Sequence, residues 1–496
     1  MPSFEKRLYQ LIISRLDGER LSSSSYRDRA FELVRKGLGG FILFGGEKDE
    51  VKSFIGELRA DAEIPLFIAS DIERGVGQQI KGAVRFPCQM AVAAAIDKNN
   101  ADDVTLLEDV IHAIAGEARD IGINMPLIPV LDVNRNPENP IICTRAFSDD
   151  PGEVAWYGKF YIKKLEEAGL ISCAKHFPGH GDTSIDSHLE LPVISKPLSE
   201  LNAVDILPFK EGVRAGVSSV MLGHLGIPAI DTLPASLSKK MVTDLLRKEL
   251  GFQGLVLTDA LNMHALKGMN KVATKCMNAG VDVLLHPDDA DAAVEELKAA
   301  VGAGEVKEEA IDTAVERILK YKAKLKGIQK AEINYNEHAG LSVKIFDKSV
   351  TVVKDPRGAL PVKDTQDARL VLIGEEDAPV LKKFCPELDS KFNPESSSGQ
   401  NSKLNTLIFA VFTNVAAWSG TSGIREEDVR SIKELMKAAR LSVVISFGSP
   451  YVLSHFPEAD ALIAAYDTTE QAQLSVIKCL KGEKDFKGRL PVRVKS

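Results

Sequence analysis

From about residue 39 to residue 326, short β-branched runs alternate with amphipathic helical stretches, and this alternation restricts the fold more than any other feature of the chain. A strand that feeds a helix, which feeds the next strand, buries its apolar face in a parallel sheet. The strand candidates are 41–44, 66–69, 126–133, 170–176, 217–225, 255–258 and 281–285, with helices expected near 48–60, 151–168, 199–215, 238–250 and 271–279. Six or seven such units fit an α/β sheet closed into a (β/α)8-like TIM barrel. Polar residues follow most of these strands: Asp71, Asp132, the segment 175–188, His224 and Asp259. In a barrel that rim is where chemistry is placed. An open doubly wound sheet would instead gather such groups at one switch point. Two charged helices near 290–302 and 307–325 end the region, and 327–338 reads as a linker. Beyond it, strand candidates 349–353, 369–373, 407–412 and 441–447 make a second α/β domain, with Ser/Asn-rich 393–402 as an exposed loop. The expected domains are 1–330 and 331–496.

Bulk properties exclude several classes. A net charge of -8 over 496 residues offers no footprint for a polyanion, so no nucleic-acid partner is expected. The six cysteines are scattered without a CxxC and read as small buried hydrophobes. The first 21 residues carry a helical period with charges throughout, and no run reaches a membrane-crossing length. A cytoplasmic setting and no membrane partner are expected.

The densest chemistry is the segment 175–188, KHFPGHGDTSIDSH, directly after an apolar strand. Within it, Asp186 stands two residues from His188, close enough to fix the ring's tautomer and stabilise its imidazolium. Such a pair gives a proton to a leaving oxygen and later takes one from water. Asp259 ends the run Leu255-Val256-Leu257-Thr258 and is held rigidly at the barrel mouth, which suits attack on an anomeric carbon. It could equally cap the next helix. Lys175 and His176 offer donors to hydroxyls, as do Arg145 and His224, and Asp71 offers acceptors. His180 and Asp182 sit among Pro178, Gly179 and Gly181 and hold the loop. A zinc site is the rival reading, since His176 and His180 are four apart with Asp182, Asp186 or His188 to complete a set. Pro178 and Gly179 break the helix that this spacing belongs to, so no metal is expected.

In order, the stretches Asp71–Gly75, PVLDVNRNPENP (129–140), Arg145-Ala146-Phe147, KHFPGHGDTSIDSH and LSKKMVTDLLRKELGFQGLVLTDALNM (237–263) resemble family 3 glycoside hydrolases, in particular the bacterial β-N-acetylglucosaminidase branch. The second half is similar to that family's C-terminal α/β sandwich, through Gly448-Ser449-Pro450-Tyr451 and the closing Gly488-Arg489-Leu490-Pro491-Val492. The resemblance implies a retaining, exo-acting enzyme that needs no cofactor and releases terminal β-linked N-acetylglucosamine from small-molecule or oligosaccharide substrates. Asp259 matches the nucleophile, and Asp186 with His188 matches the acid/base dyad. Asp71, Arg145, Lys175, His176 and His224 match positions that hold the sugar. One stretch departs: the branch typically reads DQEGGRVQR where this chain reads DIERGVGQQ, so Val76 and Gln79 replace two arginines and Arg74 a glycine. That loss weakens the case for an anionic muramyl aglycone and leaves the natural aglycone open, while cell-wall peptidoglycan turnover is the setting the resemblance implies. A spent histidine acid is neutral where a spent glutamate would repel phosphate. A phosphorylase is therefore an alternative, as is a β-glucosidase, and outside the family a metal-dependent hydrolase or a non-catalytic sugar-binding protein.

Overall fold

The computed structural model describes residues 2–325, 332–362, 367–375, 377–389, 404–416 and 418–494. Eight short parallel strands form the N-terminal part: β1 (Ile12–Asp17), β2 (Gly40–Phe44), β3 (Phe67–Ser70), β4 (Met125–Pro126), β5 (Cys173–Phe177), β6 (Ser219–Leu222), β7 (Leu255–Thr258) and β8 (Leu284–Leu285). One ladder runs β4-β3-β2-β1-β8 and a second β5-β6-β7. Parallel bridges Val130·Lys175 and Leu257·Val283 join them into a ring. The helices 24–36, 48–61 and 151–167 present apolar faces with Leu33, Val34, Phe54, Leu58, Ile162 and Leu165 buried. This is the TIM-barrel architecture the alternation predicts.

Three elements differ from the expectation, each for a physical reason. The N-terminal stretch is helical only over Phe4–Gln10, capped by the Ser3 hydroxyl at 3.4 Å from the Lys6 N–H, and then becomes β1. Arg15 and Asp17 gave that strand a helix-like charge pattern, but β1 is zipped on both sides, to β2 and β8, and ladder bonds outweigh local propensity. The strand expected over 126–133 is a ladder only at Met125–Pro126, because Pro126 and Pro129 carry no N–H. Beyond it single bonds continue the register, as from Leu131 N–H to the Lys175 carbonyl at 2.7 Å. The helix expected over 199–215 breaks into Leu198–Ala203 and Leu207–Arg214, with Pro208 in the first turn of the second piece.

The second sheet runs β10-β11-β12-β13-β9, comprising β9 (Thr351–Lys354), β10 (Ala368–Ile373), β11 (Leu404–Phe412), β12 (Ala439–Phe447) and β13 (Ala461–Ala464). All are parallel except β9, which is antiparallel at the edge. Both faces are covered: Ile408, Ala410, Val443, Ile445 and Ile463 pack with Leu381, Val476 and Leu480, while Leu407, Phe409, Val411, Val444 and Leu462 pack with Ile432 and Met436. Burial on two faces explains near-continuous apolar strands such as LNTLIFAVF. This is the α/β sandwich. By compactness it also takes in Pro87–Leu107 and Asn136–Asp149. A helix starts at Tyr335, inside the stretch expected as a linker, and 393–402 lies outside the described residues. Among the described residues no helix is long and apolar enough to cross a membrane.

Candidate active site

The barrel strands deliver their polar residues to one rim. Cys173, Ser219 and Leu255 lie in register across β5, β6 and β7, and Asp259, at even steps beyond Leu255, continues that face, while β5 shifts register between Ala174 and Phe177, where Lys175 and His176 stand. The buried Cys173 thiol feels Lys175, Asp71 and Asp259 together, which identifies that face as the lumen.

Lys175 is 1% exposed, and its Nζ lies 2.6 Å from Asp71 Oδ1 and 2.7 Å from Glu73 Oε1. A buried ammonium survives only when paired, and two carboxylates from the loop after β3 supply the pairing. His176 follows on β5. Its Nδ1 lies 2.7 Å from Asp132 Oδ2, and the same carboxylate accepts from the backbone N–H groups of His176 (3.2 Å) and His180 (2.7 Å). Burial works to raise the Asp132 carboxyl, but the His176 and His180 rings and these bonds hold it below the usual carboxylate range. With Asp132 ionised, Nδ1 of His176 carries the donated proton.

The turn that follows is shaped by close approach. A Cβ on Gly181 would stand 1.8 Å from the Val133 carbonyl oxygen, and one on Gly179, whose φ is +134°, 2.8 Å from Asp205 Cβ. Burial pulls the His180 imidazole down to about 4, and its Nε2 lies 2.9 Å from Ser187 Oγ. Lys196 Nζ clamps Asp182 at 2.7 Å and Asp205 at 3.0 Å, while burial pushes the Asp205 carboxyl up to about 6. The loop ends on a buried Asp186, whose Oδ1 accepts from both the backbone N–H and Nδ1 of His188 at 2.9 Å each. The His188 carbonyl in turn accepts from His264 N–H at 3.3 Å, tying this loop to the one after β7.

Asp259 opens that second loop, with its Oδ1 2.8 Å from Ala260 N–H. Burial works to raise its carboxyl, but the imidazoles of His176, His224 and His188, in that order, and the Ala260 N–H hold it lowered. His224 is buried, which lowers its imidazole; Nδ1 lies 2.8 Å from Ser236 Oγ and Nε2 3.1 Å from the Ala260 carbonyl. Both nitrogens are thus engaged by protein, fixing the wall beside Asp259. The barrel therefore brings together Asp71, Lys175, His176, Asp186, His188, His224 and Asp259. Arg145 belongs to the second compact unit, in the turn Cys143–Arg145, where its Nη1 donates to the Ile141 carbonyl at 3.0 Å. The three histidines of the metal alternative are committed to Asp132, Ser187 and Asp186, and the described residues hold no group of three or more side chains placed for a metal.

The sequence profile of the glycosyl hydrolase family 3 N-terminal domain matches residues 3–321. The chain belongs to glycosyl hydrolase family 3. It is a glycoside hydrolase. It is 29% identical to β-hexosaminidase A of Pseudoalteromonas piscicida over 545 residues, covering 93% of this chain and 90% of the relative. It is 27% identical to a β-N-acetylglucosaminidase/β-glucosidase of Cellulomonas fimi over 504 residues, covering 92% and 88%. Among solved structures, the glycoside hydrolase family 3 β-N-acetylglucosaminidase of Paenibacillus sp. str. FPU-7 superposes with a TM-score of 0.84 at 28% identity, over 100% of this chain and 99% of that one.

In this family 3 chain, sequence reasoning passed over two site residues. Glu73 stood inside DIERG as one more charge, and only the lysine across the barrel reveals its use. Asp132 was visible as a strand-end carboxylate without an assigned role. Its signal is the proline-rich strand before it, which frees the chain to aim a buried carboxylate at β5.

Proposed function

We propose that the protein is a retaining, exo-acting β-N-acetylglucosaminidase. Asp259 is the nucleophile and the Asp186–His188 pair the acid/base. The observation that carries this reading is the lowered carboxyl of Asp259, held ionised among imidazoles that include His188, whose own Nδ1 is engaged by a buried carboxylate. With Nδ1 committed to Asp186, Nε2 of His188 is the proton-transfer atom. It protonates the glycosidic oxygen as Asp259 attacks C1 and the C1–O bond breaks, leaving a glycosyl ester. Nε2 then takes a proton from water, which attacks C1 and releases Asp259. Asp71, Lys175 and His176 bind the sugar's hydroxyls, and we assign the same task to Arg145. His224, expected among the residues that hold the sugar, is proposed as the wall of that subsite beside Asp259, because Ser236 Oγ and the Ala260 carbonyl engage both ring nitrogens. The split into a barrel domain over 1–330 and a sandwich domain over 331–496 is part of the same proposal.

The substrate test is a panel of aryl β-glycosides that differ only at C2. Preference for N-acetylglucosamine supports the assignment, and a strong preference for glucose overturns it. Two further readings stay in view. The Cellulomonas fimi relative carries both N-acetylglucosaminidase and glucosidase in its name, so a glucoside is the rival substrate. Because spent His188 is neutral, phosphate is an admissible acceptor in place of water. Appearance of N-acetylglucosamine 1-phosphate in phosphate buffer would mark the enzyme as a phosphorylase.

A further inference from the structure

A cation that the proposed mechanism does not use stands inside the barrel on β1. Arg15 pairs in register with Ile42 of β2, and Ile42 with Ala69 of β3. Residues in register share a face and the face repeats every second residue, so Arg15, Asp17, Phe44 and Asp71 all project to the side that carries Lys175 and Asp259. The Arg15 backbone sits one layer below Asp71, but its side chain climbs. The guanidinium lies 4.8 Å from the Phe44 ring centroid, and Nη2 is 3.2 Å from Asp17 Oδ2. Both partners stand in Asp71's own layer, where the sugar must lie if Asp259 is the nucleophile.

The charge is only lightly compensated. Among the described residues Asp17 is the sole ion-pair partner of Arg15, and that carboxylate also caps the Gly18–Arg20 turn through Glu19 N–H at 3.2 Å. The Arg15 side chain remains 48% exposed although it lies within the ring of strands. His286, beyond the end of β8, brings its ring to 6.1 Å from Phe44, and burial, with a smaller contribution from Arg15, keeps its imidazole lowered. The corner where β8, β1 and β2 meet is therefore a polar niche with one under-used guanidinium above an aromatic ring.

The order of strands gives this niche its place on the substrate. In a ring of eight, β1 stands opposite β5. The proposed acid His188 is on the β5 loop, so the aglycone leaves on the β5 side, and the far end of the ring, C4 with the exocyclic C6 beside it, faces β1.

Resting on the reading of Asp259 and His188 as catalytic, we propose that Arg15 is a specificity-determining residue that receives an anionic group, phosphate or carboxylate, at C6 of the terminal N-acetylhexosamine. A guanidinium with open donors matches such an oxyanion bidentately. A sugar 6-phosphate therefore binds better than the neutral sugar.

The test compares 4-nitrophenyl β-N-acetylglucosaminide with its 6-phosphate and its 6-carboxylate, using wild type, Arg15→Gln and Arg15→Lys. Inhibition by free N-acetylglucosamine and its 6-phosphate is measured in parallel. Wild type should favour an anionic substrate, and the arm with the higher kcat/KM identifies the group as phosphate or carboxylate. Arg15→Gln should lose roughly tenfold to a hundredfold on the anionic substrates, the range of a charge-assisted hydrogen bond, and less than about threefold on the neutral one. Arg15→Lys should recover part of the loss. If wild type cleaves the neutral glycoside but the C6 anion weakens both turnover and inhibition, this inference falls and the function stands. It falls in the same way if Arg15→Gln lowers all three substrates equally. If no glycoside is cleaved, the underlying reading of the site falls first.

Discussion

Replacing Asp186 by asparagine removes one charge from the proposed proton-transfer unit and almost nothing else. Asp186 is buried, and its Oδ1 accepts both the backbone N–H and Nδ1–H of His188 at 2.9 Å. An asparagine carbonyl oxygen in the same place accepts the same two bonds, so the loop should keep its course. What disappears is the anion beside a ring that must carry a positive charge before it donates. A charge-assisted bond contributes about 1.5–3 kcal/mol against about 0.5–1.5 for a neutral one, and Coulomb attraction across ~4 Å at an effective dielectric of ~20 is about 4 kcal/mol. The expected cost is therefore about 1–4 kcal/mol, or roughly fivefold to a thousandfold in rate. It falls on the proton, so it should depend on the leaving group. The assay is kcat/KM for a series of aryl N-acetylglucosaminides whose phenols span a wide range of acidity. Asp186→Asn should be nearly silent on dinitrophenyl substrates and lose progressively more as the phenol becomes less acidic. A uniform loss across the series would refute the reasoning, because it would mean that Asp186 shapes the pocket rather than the proton. An unchanged series would remove the dyad altogether.

Two further outcomes follow from the packing. Gly181→Ala pushes a methyl into the Val133 carbonyl and must displace the loop that carries His188, so activity should fall by at least tenfold and the melting temperature by several degrees, read by kinetics and calorimetry. Lys322 is 1% exposed, with Gln10 Oε1 at 2.8 Å and the Phe67 ring at 5.0 Å as its partners, and burial holds its amine well below the ordinary lysine range. The unfolded chain binds that proton up to about pH 10.4, so wild-type stability should rise with pH between the folded pKa and that value. Relative to Lys322→Met, which binds no proton in either state, the rise should be about 1.4 kcal/mol per pH unit in urea titrations and should flatten above pH 10.4. Parallel curves for the two proteins would show the amine to be charged in the fold.

Much of the barrel was legible because its signals are local. LVLT followed by Asp259, and FIAS followed by Asp71, announce strand and rim residue together. The KHFPGHGD turn declares its own geometry through glycines that admit no side chain. What stayed hidden depends on residues far away in sequence. β1 reads as the tail of a helix until β2 and β8 are known to flank it. Glu73 is one acid among many until Lys175, more than a hundred residues on, lies against it. That Pro87–Leu107 and Asn136–Asp149 group with the second sheet rests on Met90, Ala91 and Cys143 entering its core, a contact that no periodicity within those segments signals. β13 escaped because ALIA is too short to show a period.

The proposed mechanism stands on a covalent bond between Asp259 and the anomeric carbon, and that bond can be read directly. The enzyme is incubated with a 5-fluoro-N-acetylglucosaminyl fluoride, which slows departure of the sugar from an ester, then digested and weighed by mass spectrometry. A retaining mechanism through Asp259 predicts one added fluoro-sugar on the peptide containing Gly254 to Met263, localised to Asp259 and absent in Asp259→Asn. Turnover without any protein-bound sugar, or with the sugar on another side chain, would contradict it.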